Sequence, residues 1–470
     1  MTSETLPISN NDLPSSPEED YKNLPDCTDL GHIPGNFGWP IIGNMIEWVR
    51  DLRGMVERRV AKYGPVSRVN IIGSKGIMVV GPDVMQRILL DKDKNFSNEM
   101  GFKKNLGKFF EGGILLRDFD EHKVQRRIFQ TAFKNDPMRT YVQQMNAIMS
   151  ADIDSWANHT DFVVYPHIKQ MLLTTAAKIF VGVERDSPDF TALYTNYVNM
   201  LNGMTALVQL EIPGLRWHAS QQAKREINNT FEGLIPSRRT GDGTDFLSFF
   251  CRETMEDGSY FSNDDIIRHM NFLVFAAHDT TTASIINIMY ELAKNPDWQE
   301  KLRKICQDYA AKHNKSELDY DDLTAIPELE YTMLEGQRLH PSVPMAIRRT
   351  IREMDIGGYR IPPNTLTWLP YVACYRAKEY WTNPDQFDPD RFNPEREEFK
   401  QHPFLFIPFG GGAHKCIGMH FAKIQVKCFL YQFLQRYRFS VAEDYDPWLM
   451  MVPMPKPADD LPVKLERIAP

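Results

Sequence analysis

The chain has 470 residues, of which 42% are hydrophobic and 25% charged, and its formal net charge is −8. That composition supports a sizeable core, and the acidic balance argues against a nucleic-acid binder. The six cysteines (Cys27, Cys251, Cys306, Cys374, Cys416, Cys428) are dispersed without a C-x-x-C pair, which excludes a disulfide framework and a clustered structural zinc site.

Residues 1–30 are rich in Ser, Pro, Asn and acids and are expected to be a flexible polar leader, with one domain over 31–470. The start has no basic patch followed by an apolar run, so it is no signal peptide, and no stretch of 18 apolar residues occurs to span a membrane. A soluble, cytoplasmic, monomeric protein is expected. MIEWVRDLRGMVERRVAKYG has helical spacing and ends at Gly64. VSRVNIIGSKGIMVVGP (66–82) alternates apolar and polar residues about Ser74-Lys75-Gly76, which predicts a β-hairpin. Helical patterns dominate from about 83 to 350. IGGYRIPPNTLTWLP (356–370) is a second sheet signal, with a turn at Gly357-Gly358 and helix forbidden at Pro362-Pro363. No repeat and no long linker divides the chain. The fold class is mainly α with small β-sheets in one large domain.

Ser262 is a good N-cap, and the helix it opens runs to Lys294, about 32 residues and roughly 48 Å at the standard rise. Its middle is apolar nearly all round, so it crosses the interior. There the sequence places His278, Asp279 and Thr280-Thr281-Thr282. Two readings stand: threonines bonding back to carbonyls with Asp279 satisfied by a distant Arg, or a local helix distortion opening a polar notch for a ligand. Further on, FGGGAHKCIG (409–418) sets three glycines before Cys416. A buried cysteine is commonly a small core residue. Here the glycines leave room for something flat, and backbone amides with a helix starting near Ile417 favour a thiolate.

FGGGAHKCIG resembles the F-x-x-G-x-[RH]-x-C-x-G loop of the cytochromes P-450 at every fixed position. HKVQRR (His122, Arg126), AAHDTT (Ala276, Ala277, Asp279, Thr280), EGQR (Glu335, Arg338), Arg348 and FDPDRF (Arg391) are similar to further motifs of that family in the same order, so the resemblance covers about residues 30–465. It implies the cytochrome P-450 fold of a soluble bacterial-type member, with haem b between the long central helix and the cysteine-loop helix. Cys416 is then the iron ligand. His122, Arg126, Arg348 and His414 bind propionates, Ala276, Phe409 and Gly418 adjoin the haem, and Glu335, Arg338 and Arg391 form a structural triad. An anionic sulfur favours O–O cleavage. Asp279 and Thr280 are the acid–alcohol pair that delivers protons. Three departures stand out: Ala277 replaces the usual second glycine, His414 the commoner Arg, and Cys374-Tyr375-Arg376 lies where many relatives carry a His-Arg pair.

The activity implied is mono-oxygenation: one atom of O2 enters a C–H bond of a hydrophobic small molecule of lipid, steroid or terpenoid type. Electrons come ultimately from NAD(P)H through a separate ferredoxin-type partner on the Cys416 side, steered by Lys123, Arg127, Lys415, Lys423 and Lys427. Phe109, Phe110, Met204, Phe272, Ala276, Met345 and Met450 are the expected pocket contacts. The rival readings are a haem-thiolate peroxygenase or isomerase, and a non-enzymatic haem-binding sensor. The acid–alcohol pair argues against both.

Overall fold

A computed structural model describes residues 19–468, apart from 24, 28, 159–161, 207, 256–257 and 453. Most of the segment expected as a leader, residues 1–18, lies outside the described residues. Within its described part Tyr21 and Leu30 are buried, Asp26 pairs with Arg349, and the Cys27 amide donates to the Asn364 carbonyl at 3.3 Å. Tyr21 and Leu30 are apolar enough to join the core, so the packed region begins before residue 31.

The first helical pattern is two helices, Met45–Arg50 and Leu52–Tyr63. Asp51, extended at φ −159°, separates them and caps the second by accepting from the Gly54 amide at 2.8 Å. The hairpin pairs Val66–Ile71 with Ser74–Val79, opposing Ile71 to Ser74. Its turn is therefore Ile72-Gly73, ahead of the expected Ser74-Lys75-Gly76. Both turn residues have positive φ, 48° and 68°, as a two-residue hairpin turn of this hand requires, and Gly73 adopts it without steric cost.

Those strands extend into a five-stranded sheet through Leu366–Pro370, Met345–Thr350 and Phe96–Ser97; the link from Ser74–Val79 to Leu366–Pro370 is parallel and the others antiparallel. The Gly357-Gly358 turn joins Met354–Ile356 to Tyr359–Ile361 as expected. Distant stretches of chain thus supply the five-stranded sheet, while helices make up most of the body.

The central helix spans Asn263–Lys294, with 23 buried residues on all sides. Ser262 Oγ accepts from the Asp265 amide at 3.0 Å and its hydroxyl donates to the Asp265 carboxylate at 2.8 Å. Around it pack Val164–Ala176, Pro327–Leu339 and Met419–Arg436, so one apolar core encloses the middle of the helix. The last of these begins two residues later than Ile417, capped by Gly418. Among the described residues no helix is long and apolar enough to cross a membrane.

Candidate active site

A cavity of about 420 Å³ lies between the central helix and the cysteine loop. Cys416 and Gly418 contribute to it from the loop, Ala276 and Thr280 from the helix, and Phe409 from the segment ahead of the glycines. His122, Arg126, Arg348 and His414 also line it. Every residue expected beside the haem therefore reaches one cavity, although these residues come from four separate parts of the chain.

The cysteine loop is closed by two backbone bonds, Cys416 N–H to the Phe409 carbonyl and Gly410 N–H to the Ile407 carbonyl, each 2.8 Å. The glycines serve the loop itself more than a ligand. Gly412 has φ +68°, and a Cβ there would sit 1.7 Å from the Leu89 carbonyl oxygen. A Cβ on Gly411 would meet the Phe404 ring at 2.6 Å, while only Gly410 has open space. Burial pushes the Cys416 thiol up, against the Gly418 amide and the cations Arg126 and Lys415, which pull it down. The Gly418 amide thus acts in the direction expected of it, towards the thiolate. A metal cation held by Cys416 would complete the effect by displacing the proton outright.

The second half of the site is a basic rim. His122 and Arg126 share one face of the helix Phe119–Ala132, Arg348 projects from Met345–Thr350, and the His122 and His414 rings lie 3.9 Å apart between centroids. Arg348 is buried, and its guanidinium donates to the neighbouring Ile347 carbonyl at 2.9 Å. Burial, joined by Arg126 and Arg348, lowers His122 to about 4; burial, His122 and the same arginines hold His414 well below its ordinary value. A cavity edge with two guanidinium groups and two neutral imidazoles is the donor set an anionic edge of a ligand requires. Among the described residues no three His, Cys, Asp or Glu gather as a metal site, so Cys416 can hold a metal where a macrocycle supplies the other ligands.

Asp118, which the sequence did not single out, fixes the basic-rim helix in place. Its carboxylate accepts from Ser97 Oγ, from the amides of Asn98 (2.7 Å) and Glu99 (3.2 Å), and from the Tyr21 hydroxyl at 3.3 Å. The triad also forms. Arg338 donates to Glu335 at 2.7 and 2.8 Å, Arg391 at 3.1 Å, and all three side chains are fully buried.

The central helix is unbroken through Thr280-Thr281-Thr282. Thr280, Thr281 and Thr282 donate to the carbonyls of Ala276, Ala277 and His278 at 2.8, 3.1 and 2.7 Å, so the helix distortion considered from sequence is absent. Asp279 does not line the cavity. It is buried on the flank of the helix, 3.7 Å from Lys169 Nζ on Val164–Ala176, and that partner is a lysine where an arginine was expected. Nothing local to Asp279 announces Lys169; only the packing of two helices brings them together.

Of the expected substrate contacts, Met204, Phe272, Ala276 and Met345 line the cavity. Phe109 and Phe110 do not: they are core residues, Phe109 against Trp217 and Phe110 stacked on Phe275 at 4.6 Å. Asn98, Phe102 and Leu106 take their place, and their i, i+4, i+8 spacing in the helix Asn98–Phe110 is a signal the sequence did offer. Met450 is likewise displaced by Met454, because Met450 is engaged in a strand pair with Lys456.

Fold, cysteine loop and basic rim together define a haem-thiolate protein. A model of the cytochrome P450 family matches residues 33–461, and the chain belongs to that family: it is an oxygen-incorporating haem-thiolate oxidoreductase. It is 34% identical to the putative cytochrome P450 136 of Mycobacterium tuberculosis, over 96% of this chain and 91% of that protein. It is 25% identical to the taxane 13-alpha-hydroxylase of Taxus cuspidata, over 92% and 91% of the two chains. The fold is similar to that of the retinoic acid bound cyanobacterial CYP120A1, with a TM-score of 0.82 and 23% identity over 93% of this chain and 99% of that one.

The depressed His122 has a consequence for stability. As pH falls through the ordinary value of 6.5, the unfolded chain takes up a proton that the folded haem-free protein refuses until about 4. The contribution is intact above 6.5 and is lost progressively down to about 4, a difference of about 3 kcal/mol. The urea midpoint of haem-free protein should therefore fall over that range, and His122→Gln should flatten the fall. Haem loading should flatten it too, because an anionic edge beside His122 raises its affinity for a proton. An identical slope in His122→Gln would contradict the assignment.

Proposed function

We propose that the protein is a mono-oxygenase of hydrophobic lipid, steroid or terpenoid-type molecules, served by a separate ferredoxin-type donor that draws on NAD(P)H. The observation that carries this reading is the single cavity in which Cys416, Thr280 and the four basic-rim residues meet walls that are otherwise largely apolar. Cys416 would hold haem iron, and His122, Arg126, Arg348 and His414 would face its propionates. Bound haem supplies the activation of dioxygen and its insertion into a C–H bond.

The chain's own residues set the conditions. Phe102, Leu106, Phe272 and Met345 exclude water and select an apolar substrate by burying its surface. Thr280 donates its hydroxyl proton to the Ala276 carbonyl, which leaves its oxygen lone pairs facing the cavity to accept a proton in transit. Asp279, the preceding residue on the flank of the helix, is the acid that supplies that proton, and Lys169 faces the carboxylate it leaves behind. An acid–alcohol pair supports use of dioxygen and electrons over peroxide. The similarity to a taxane hydroxylase supports the terpenoid-type substrate.

For the electron donor, the exposed Lys123, Arg127 and Lys415 support an acidic partner on the cysteine side. Two of the lysines named from sequence are otherwise employed: Lys423 and Lys427 both donate to Glu330 at 2.6 Å, and Lys427 is buried.

The reading is tested by reconstituting the holoprotein with a ferredoxin, its reductase and NADPH, and screening terpenoids, steroids and fatty acids. The expected result is a spin-state shift with a subset of them and product formed in step with oxygen and NADPH consumed. Thr280→Ala should keep the spin-state shift and cut product per NADPH by about 10-fold or more, the electrons leaving as peroxide. Undiminished coupling in Thr280→Ala, or no spin-state shift with any apolar ligand, would overturn the reading.

A further inference from the structure

His278 immediately precedes Asp279 in the central helix and is completely buried. Its Nδ1 lies 2.7 Å from the Val274 carbonyl oxygen. A carbonyl only accepts, so Nδ1 carries the hydrogen, and in the neutral ring Nε2 is a bare acceptor. That Nε2 has no hydrogen-bond partner, and Asp279 Oδ1 stands 3.4 Å from it. A buried acceptor left unmet in this position is destabilising. With Asp279 ionised, two lone-pair-bearing atoms face each other in the interior. A proton on the Asp279 carboxyl removes both penalties, since the O–H then donates to Nε2.

The opposing influence is Lys169, whose Nζ lies 3.7 Å from the same Oδ1 and favours the ionised form. The other titratable groups about the pair act through Lys169. The Tyr165 hydroxyl accepts from its Nζ at 3.3 Å, and Tyr194 adds to its field from the helix Pro188–Asn202. Lys456, 4.3 Å over the Tyr165 ring, is itself paired with Asp460. Burial would lower Lys169, but beside an ionised Asp279, and with Tyr165, it lies above its ordinary value, so the carboxylate form is met by a cation. Burial also holds His278 below its ordinary value against the pull of Asp279, which suits a neutral imidazole. Asp279 thus sits between an acceptor that favours its acid form and a cation that favours its carboxylate.

We propose that His278 Nε2 and the Asp279 carboxyl share one proton, His278 being the positioning residue that keeps Asp279 as a carboxylic acid until its proton is drawn toward Thr280. When the proton leaves, the O–H bonding pair stays on the carboxylate and Lys169 faces the new charge. Lys169 keeps 17% side-chain exposure, so a proton from solvent can restore the acid from that side. The inference rests on Asp279 being the acid of the site, and it assigns to His278 a role that neither cavity lining nor core packing explains: the ring does not touch the cavity, and an apolar side chain would fill the space without an orphaned nitrogen.

The shared proton is tested without turnover, by infrared spectroscopy of the ferric holoprotein at neutral pH in H2O and D2O. The expected result is a carboxylic C=O band that moves to lower frequency in D2O and is missing in Asp279→Asn. His278→Leu should lose the band, and His278→Gln, whose amide oxygen can accept, should retain it. The same pattern should appear in coupling: product per NADPH in His278→Leu falls several-fold and becomes steeper with rising pH, and His278→Gln recovers most of it. A wild-type protein without the band, or a His278→Leu band unchanged in position and size, overturns the proposal. Should His278→Leu not fold, the imidazole 15N shifts of the diamagnetic reduced carbon monoxide complex decide, because a hydrogen on Nε2 is incompatible with the proposal. If the band behaves as expected while Asp279→Asn couples normally, the shared proton stands and the reading of Asp279 as the turnover acid falls.

Discussion

Cys416→Ser should fold, and should lose both the thiolate-type carbon monoxide spectrum and turnover, the latter by more than about 100-fold, exceeding the usual cost of changes one layer further out. Folding should survive because the loop is held by backbone: the Cys416 and Gly410 amides bond to carbonyls at 2.8 Å, and Gly412 packs on the Leu89 carbonyl. None of these contacts uses the sulfur. Function should not survive because a serine hydroxyl stays protonated where a metal would displace a thiol's proton to solvent, and a neutral oxygen donates far less electron density. The measurement is the difference spectrum of the reduced protein with and without carbon monoxide, alongside circular dichroism. A serine variant with the parent spectrum and turnover would remove the foundation of every functional statement made above.

Glu335→Gln should be the most damaging change away from the haem. Two guanidinium groups, both fully buried, share this one carboxylate. Arg391 also reaches Glu398 at 3.0 Å, but Glu335 is the carboxylate paired with Arg338. Breaking a buried ion pair from one side costs about 3–5 kcal/mol, a large share of the 5–15 kcal/mol that holds a typical domain together. The damage should reach the haem as well. Arg338 donates to the Tyr375 carbonyl at 2.9 Å, the Tyr375 hydroxyl accepts from the Ile407 amide at 3.2 Å, and the Ile407 carbonyl anchors Gly410. Lower urea midpoint and lower haem content per chain are expected together; a midpoint equal to the parent's would refute the role.

Features encoded by near neighbours in the chain were legible from the residues. Ser262 and Asn295 bound the central helix within a residue of the expected ends, because capping and proline placement are short-range chemistry. The motifs around Cys416, His122, Thr280 and Glu335 carried their residue types at helical or loop spacing, and those residues do line one cavity or one buried ion-pair network. The remainder depended on how the helices pack. Phe109 and Phe110 against Phe102 and Leu106 is a question of which face of one helix meets the cavity, and both faces are apolar. Lys169 beside Asp279, Asp118 beneath Asn98 and Glu330 between Lys423 and Lys427 join charges far apart in sequence. An electrostatic partner is chosen by distance in space and by the water excluded around it, and neither quantity is written into the residues next door.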